Sequence, residues 1–340
     1  MIKWKKNIWN YTINTMINKR IGFTSSLPVE VIYAAGYTPV DLNNIFVEGA
    51  SAEYIRKAEL RGFPRTICAW IKGNFAAALS ANLDEVIGIS QGDCSNGISL
   101  TAMLAEEGLP IYHFPFPQER TYEALNAEIR KLEEHFEVSR NEVMKVKKRL
   151  DEIRAKLITL DEWTWNEGLI TGKENHYWLV NSSDFRGNPD QFEEDLSSFM
   201  EQASRRNPSI PERRCAYLGV PPIYRDLYDR IEELGGRVIF NEVQRQFSMP
   251  YLCSDIVEQY LVYTYPYGVF ARLEDILTQL NLRKIDLVIS YTQSFCHLQI
   301  DNILLKKHIK LPFLNLEGDR PEELDSRTLL QLESFFEVYG

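Results

Sequence analysis

One segment of this chain occurs twice, at a constant offset of 202 residues and without a gap. Each copy, 84–116 and 286–318, reads as an apolar β-branched run, a polar turn, a helix-length stretch and a second apolar run. The copies share an aspartate, a glutamine, a cysteine and a proline, at Asp84 and Asp286, Gln91 and Gln293, Cys94 and Cys296, and Pro110 and Pro312. This order predicts a strand–turn–helix–strand unit, so the chain should hold two related α/β lobes with parallel sheets.

The region between the two copies is helical in pattern. Apolar residues recur every three or four positions from 119 to about 160, and Ser139 with Glu142 forms a capping-box signature. A polar, proline-containing stretch at 205–211 predicts a linker. These patterns divide the chain into an N-terminal helix (1–20), a first α/β lobe (21–118), a helical arm with a linker (119–212), a second α/β lobe (213–320) and a C-terminal helix (321–340).

Charge and composition exclude several classes of protein. The net charge of −10 argues against a general surface for nucleic acids or anionic membranes. No run of about 18 apolar residues predicts a membrane span, and the basic N-terminus does not read as a signal peptide. Five scattered cysteines do not form the framework of a secreted disulfide protein. We therefore expect a cytoplasmic protein whose thiols are free for metal binding or catalysis.

Three of the cysteines stand where ligands bind in α/β folds. Cys94 and Cys296 follow strands, at the edge of a parallel sheet where helices begin, and Cys68 lies at the start of another predicted helix. Helix N-termini favour thiolates. Three thiolates without a fourth ligand do not suit structural zinc, but they suit an iron–sulfur cluster with one open iron. The spacing itself matches no known metal-binding code, so a role without metal stays open at this point.

Several motifs together resemble the 2-hydroxyacyl-CoA dehydratase family, which includes benzoyl-CoA reductase subunits. They extend in order over nearly the whole chain and are P-x-E-V-I-Y-A-A-G-Y-T-P-V at 28–40, G-D-C-S at 92–95, Y-L-G-V-P-P at 217–222, E-E-L-G-G-R-V-I-F-N-E at 232–242, S-F-C-H at 294–297 and L-E-S-F-F-E at 332–337.

The resemblance implies two Rossmann-like lobes, a helical part and a 4Fe-4S cluster held by Cys68, Cys94 and Cys296. It also implies that the open iron binds water or the oxygen of an acyl-CoA thioester. An ATP-dependent iron–sulfur activator protein would supply one electron and make a ketyl radical anion. The chain would then be a subunit of an (R)-2-hydroxyacyl-CoA dehydratase-type lyase, paired with a homologous second subunit or with a second copy of itself.

Such chemistry also needs a proton acceptor near the substrate. Glu30 in the P-x-E motif and His297 beside the last cysteine are the two candidates for this catalytic role. Each also has a structural alternative, since Glu30 can cap a helix and His297 can hydrogen-bond to sulfur.

The chain departs from the family pattern at four positions. Ser95 and His297 follow the second and third cysteines, where acidic residues are frequent, and Gln244 and Tyr267 replace further cysteines found in some relatives. Fewer thiolates argue against a larger double-cubane cluster. Two other functions stay open from the sequence: a non-catalytic, electron-relay subunit that keeps the cluster, and a metal-free two-lobed protein that binds a small molecule.

Overall fold

The computed structural model describes residues 19–209 and 211–340. The helix predicted for residues 1–20 therefore lies outside the described residues, except at its last two positions. Arg20 does not end a helix there but begins the first strand.

Residues 20–115 form the first α/β lobe. Its elements are β1 (Arg20–Phe23), α1 (Val29–Ala34), β2 (Thr38–Asp41), α2 (Leu42–Glu48), α3 (Ser51–Leu60), α4 (Ala69–Ser80), β3 (Glu85–Gln91), α5 (Ser95–Glu106) and β4 (Ile111–Pro115). The four strands form one parallel sheet in the order β2-β1-β3-β4.

Four helices follow and make up the predicted arm. They are α6 (Tyr122–His135), α7 (Arg140–Glu162), α8 (Gly172–Val180) and α9 (Pro189–Ala203). The predicted capping box opens α7, because Glu142 N–H donates to Ser139 Oγ and Ser139 N–H donates to the Glu142 carboxylate at 2.8 Å. A π-helical turn, Trp163–Glu167, extends the end of α7.

The remaining residues form the second lobe and the C-terminal helix. The elements are β5 (Arg213–Gly219), α10 (Leu227–Glu233), β6 (Gly236–Asn241), α11 (Glu242–Phe247), α12 (Ile256–Val262), α13 (Gly268–Leu282), β7 (Leu287–Thr292), α14 (Leu298–His308), β8 (Phe313–Glu317) and α15 (Ser326–Tyr339). The parallel sheet has the order β6-β5-β7-β8, which repeats the order of the first sheet. The predicted pair of α/β lobes with parallel sheets, related by an internal repeat, is thereby confirmed.

The repeated aspartates make the same contact in both lobes. The Asp84 carboxylate accepts a 2.8 Å hydrogen bond from Arg20 N–H, and the Asp286 carboxylate accepts one of the same length from Arg214 N–H. Each aspartate also donates its own N–H to the carbonyl oxygen of the same arginine. The repeated residue therefore ties the third strand of each lobe to the start of the first strand.

Apolar clusters cover both faces of each sheet. The first sheet packs against α4 and α5 on one face and against the helical arm on the other, so the arm and lobe one share one core. The domain division at residue 118 thus stays a prediction. Phe46 and Ala69 of lobe one lie in a core cluster of lobe two, which joins the lobes. No helix among the described residues combines the length and the apolar character needed to cross a bilayer.

Candidate functional site

A cavity of about 500 Å³ lies where the carboxyl ends of the two sheets meet. It is lined by the loops that follow β1, β3, β5 and β7, at Thr24 and Ser25, Asp93 and Cys94, Val220 to Pro222, and Phe295 and Cys296. In the strand order of each sheet, the neighbours β1 and β3, or β5 and β7, flank the point where the winding reverses. Ligands bind at such switch points in open α/β sheets. We call this cavity the interlobe cleft.

The three candidate cysteines all line the interlobe cleft. Cys68 is the N-cap residue of α4 and Cys94 is the N-cap residue of α5, while Cys296 stands one position before the N-cap of α14. Each sulfur is faced by backbone N–H groups of the first turn of its helix. These donors, together with the helix dipole, stabilise negative charge on sulfur.

Burial favours the protonated form of all three thiols. Burial raises the pKa of Cys68 to about 12 and that of Cys94 to about 11, and burial also raises the pKa of Cys296. The backbone N–H groups oppose this rise, whereas Cys296 and Cys94 add to the pKa of Cys68 because the three charges would repel one another. A bound metal would have to displace these protons, so its affinity should increase with pH.

Gln293 of lobe two holds the helix that carries Cys68. Its Oε1 accepts a 2.9 Å hydrogen bond from Ala69 N–H at the start of α4, and the Cys68 thiol donates to the same oxygen at 3.8 Å. Its Nε2 donates to Tyr291 OH at 2.9 Å, which fixes the orientation of the amide. The repeated glutamine therefore links the two lobes at the edge of the interlobe cleft.

A tight turn after β3 places Cys94. Gly92 has φ +95°, a conformation that residues with a Cβ rarely adopt. A Cβ at this position would stand 2.8 Å from Pro266 and 2.9 Å from Phe116. Both the backbone conformation and the close approach of the Tyr265–Tyr267 turn therefore require glycine.

The charged side chains that line the interlobe cleft are acidic: Asp41, Glu48 and Asp93. No lysine or arginine among the described residues lines it. Burial raises the pKa of Asp93 to about 6, although the Cys94 N–H donates to its carboxylate at 2.7 Å. The cleft lining thus offers hydrogen-bonding groups and negative charge. The nearest cations lie behind it: Arg186 pairs with Glu48 at 3.7 Å, and the charge of Arg272 acts on Cys296.

The helical arm contacts the cleft wall where Asp184 of the arm meets Asp41 at the end of β2. Asp41 N–H donates to the Asp184 carboxylate at 2.8 Å, and Ser183 Oγ donates to the Asp41 carboxylate at 2.6 Å. Burial, and after it the charge of Asp41, raise the pKa of Asp184 to about 7. These contacts fix the cleft wall at the end of β2 against the segment that follows α8.

The two predicted proton acceptors occupy different places. His297 lines the interlobe cleft. Glu30 does not, because it is fully buried in α1 and pairs with Arg154 of α7 at 2.8 Å. Its carboxylate also accepts hydrogen bonds from Gln259 and Tyr260. Glu30 thus lies outside the cleft lining and joins two helices, and its role as a proton acceptor stays a prediction.

Sequence reasoning missed two polar residues of the cleft lining. Asn74 is buried and donates to Asn43 Oδ1 at 2.8 Å, but its own Oδ1 has no hydrogen-bond partner among the described residues. His176 of α8 also lines the cleft, far in sequence from every cysteine. No local pattern in the sequence marks either residue, since the fold alone brings them to the cleft.

The thiol set fits a cluster rather than a single metal ion. No three His, Cys, Asp or Glu side chains in 19–209 and 211–340 stand close enough to hold one ion. In an iron–sulfur cluster each thiolate binds a different iron, so the cysteine sulfurs stay apart. The three thiols line one cavity and each faces backbone N–H donors, so their chemistry suits thiolate ligation. Cys215 is buried in β5, and Cys253 lies between α11 and α12; neither lines the cleft.

Comparison with known families gives one match. The sequence model of a family described as 2-hydroxyglutaryl-CoA dehydratase, D-component, matches residues 24–339. The matched range includes the helical arm, all three cleft cysteines and both lobes except β1. No curated protein matches the chain.

Proposed function

The chain belongs to the 2-hydroxyglutaryl-CoA dehydratase D-component family, and we propose that it is the cluster-bearing subunit of an enzyme that dehydrates or reduces a CoA thioester. The family assignment agrees with the resemblance in the sequence. The observation that carries the proposal is the convergence of Cys68, Cys94 and Cys296 on the interlobe cleft.

In this proposal the three thiolates hold a 4Fe-4S cluster, which when bound supplies one-electron chemistry at the iron that lacks a cysteine. The protein does the rest of the work. The helix N-termini of α4, α5 and α14 stabilise the charge on the sulfurs, and Gln293 keeps the lobes in register around them. His297 stands in the lining, where it can accept a proton from the substrate.

The partners of the proposal follow from this chemistry. The electron must come from outside the chain, so we propose an ATP-dependent iron–sulfur activator protein as its source. A component of a dehydratase works with further subunits, and we propose a homologous second subunit or a second copy of this chain. A reducing cytoplasm would keep the five cysteines free.

Anaerobically prepared protein should be brown and contain about four iron atoms per chain. Iron and acid-labile sulfide analysis, with the visible absorption spectrum, measures this directly. Exposure to oxygen should bleach the colour, because an iron without a cysteine ligand would be open to the cleft. A colourless, iron-free preparation from anaerobic expression would contradict the cluster and favour a metal-free binding protein.

The cluster-bearing subunit can also be tested for contact with substrate. Adding a 2-hydroxyacyl-CoA to the complex, with its second subunit and an ATP-driven reductant, should change the spectrum of the cluster and release the 2-enoyl product. Intact iron without any substrate-dependent change, across several acyl-CoAs, would instead indicate an electron-relay subunit.

The acidic lining predicts which acyl groups bind. A 2-hydroxyacyl-CoA with an uncharged aliphatic chain should bind about ten times more tightly than 2-hydroxyglutaryl-CoA. The free carboxylate of 2-hydroxyglutaryl-CoA would lose its water in a lining that has no lysine or arginine among the described residues. Calorimetric titration with both thioesters measures the ratio, and free CoA serves as the control for the shared part. If repulsion by the acidic side chains causes the difference in affinity, high salt should reduce it. Equal affinities would show that the lining does not select against charge.

A further inference from the structure

His176 of α8 is held in one orientation by a buried polar network. Its helix starts with a capping box formed by Thr171 and Glu174. Its imidazole ring packs on Tyr228, with the ring centroids 5.3 Å apart. The ring lines the interlobe cleft while its Nδ1 faces the interior.

The network begins at a group whose role is certain. The backbone carbonyl of Gly172 can only accept, and Asn241 Nδ2 donates to it at 3.2 Å. The amide of Asn241 is therefore oriented with Oδ1 on its other side. That oxygen accepts a 2.8 Å hydrogen bond from Tyr228 OH. The single proton of the tyrosine hydroxyl is thus committed to Asn241.

This commitment determines the tautomer of the histidine. With its proton used, the Tyr228 oxygen can only accept from its other neighbour, so the atom of Gln244 at 3.4 Å must be the donor Nε2. The same Nε2 stands 3.0 Å from His176 Nδ1. Nδ1 must then be the acceptor, and the proton of a neutral ring must sit on Nε2.

The ring is neutral under ordinary conditions. Burial lowers the pKa of His176 to about 4. No described residue accepts a hydrogen bond from its Nε2, so this donor is free for a ligand in the cleft. The orientation leaves Gln244 Oε1 buried without a partner among the described residues. The network therefore leaves one acceptor unpaired while it fixes the histidine donor, and an unpaired buried acceptor calls for an explanation.

We propose that His176 is a substrate-binding residue whose Nε2–H donates a hydrogen bond to the thioester carbonyl oxygen in the interlobe cleft. This inference rests on the proposed function. The carbonyl oxygen carries most of the negative charge of a thioester, and that charge increases when the thioester is reduced. A donor fixed in advance stabilises such an oxygen without reorganisation. The cleft has no lysine or arginine among the described residues to do so.

The test compares variants at this position for binding and for the state of the bound carbonyl. The anaerobic, iron-loaded protein is titrated with a 2-hydroxyacyl-CoA by calorimetry, and the infrared band of a ¹³C-labelled thioester carbonyl is recorded in the complex. His176→Phe keeps a ring but removes the donor. It should weaken binding about three- to tenfold and shift the carbonyl band to higher frequency. With the activator and second subunit present, kcat should fall about 10²- to 10³-fold.

Matched variants separate hydrogen bonding from structure. The amide nitrogen of His176→Gln can replace Nε2 and should largely restore both the affinity and the carbonyl frequency. His176→Asn, which is polar but too short, should not. His113→Phe, on the exposed edge strand β4, should change neither value. All variants should keep the iron content of the unaltered protein, which also reports folding.

The outcomes distinguish the inference from the proposed function. An unaltered protein that binds no CoA thioester would contradict the proposed function, and the inference with it. If the unaltered protein binds the thioester, two results would overturn the role of His176 alone. One is an affinity and carbonyl frequency unchanged in His176→Phe. The other is that His176→Gln restores them no better than His176→Asn.

Discussion

Replacing Cys68, Cys94 or Cys296 by alanine should each remove most of the iron from anaerobically prepared protein. Each substitution deletes one of three thiolates around the interlobe cleft, and no other cysteine among the described residues lines it to replace the loss. The remaining two thiolates cannot hold a cluster that already has one iron without a cysteine. Iron and sulfide per chain, together with the visible absorption, give the result.

The other two cysteines provide matched controls. Cys215 is fully buried in β5, where a free thiol acts as a small apolar group, so Cys215→Ala should cost some stability but leave the iron. The Cys253 carbonyl accepts from Lys147 through its backbone, so Cys253→Ala should preserve that contact as well as the iron. Equal loss in all five variants, or retention in the three cleft variants, would show that the ligands are assigned wrongly.

The fold was largely predictable because both copies of the repeat carry the same local sequence patterns. Asp84 and Asp286 mark the start of equivalent strands, and the two sheets have the same strand order. The start of a helix can also be read from the sequence, and it correctly predicted the positions of Cys68 and Cys94, which are both N-cap residues. In each case the information lies within a few residues of the feature, where backbone geometry and hydrogen bonding are local.

The cleft was predictable only where its residues follow strands or begin helices. His176 comes from the helical arm, and its tautomer depends on Tyr228 and Gln244, which lie far along the chain. The sequence predicted a role for His297 instead, because that histidine follows a cysteine. Gln293 shows a related limit, because its repeat partner Gln91 uses only its backbone carbonyl in the corresponding position. Repetition of a residue type therefore did not reveal which copy links the lobes.

Glu30 shows what sequence patterns leave out. Its motif suggested a helix cap or a base, but its partner is Arg154 in the middle of α7. Burial alone would raise the pKa of Glu30; the charge of Arg154 and the hydrogen bonds around it outweigh burial and hold the pKa below its usual value. Both side chains are almost fully excluded from solvent. The pair joins α1 of the first lobe to the helical arm.

Breaking this buried pair should strongly destabilise the fold. Arg154→Met should lower the free energy of unfolding by about 3 to 5 kcal/mol, because it leaves the Glu30 carboxylate buried without a cation. Denaturant unfolding of the whole chain, followed by circular dichroism, measures the loss. Lys57→Met, which breaks the exposed pair of Lys57 with Glu53, should cost about 0.5 kcal/mol or less and serves as the control.

Removing Arg154 should also reverse the pH dependence of the contribution that Glu30 makes to stability. In the unaltered protein the pKa of Glu30 is lower when folded, so its contribution is present above the unfolded pKa and is lost as the pH falls through the folded value. In Arg154→Met only the remaining hydrogen bonds to Glu30 oppose burial, so we expect its folded pKa to rise above the unfolded value. That variant should therefore be least unstable in acid and should lose stability as the pH rises through the raised pKa.

The double variant Glu30→Leu with Arg154→Met decides between a structural and a catalytic Glu30. Replacing both charges by apolar groups of similar size should recover most of the lost stability, since neither charge is left unpaired. If Glu30 acts only in packing, this variant should keep its iron and its turnover of a 2-hydroxyacyl-CoA. Restored stability and iron with turnover still abolished would contradict the structural role and return Glu30 to the position of proton acceptor.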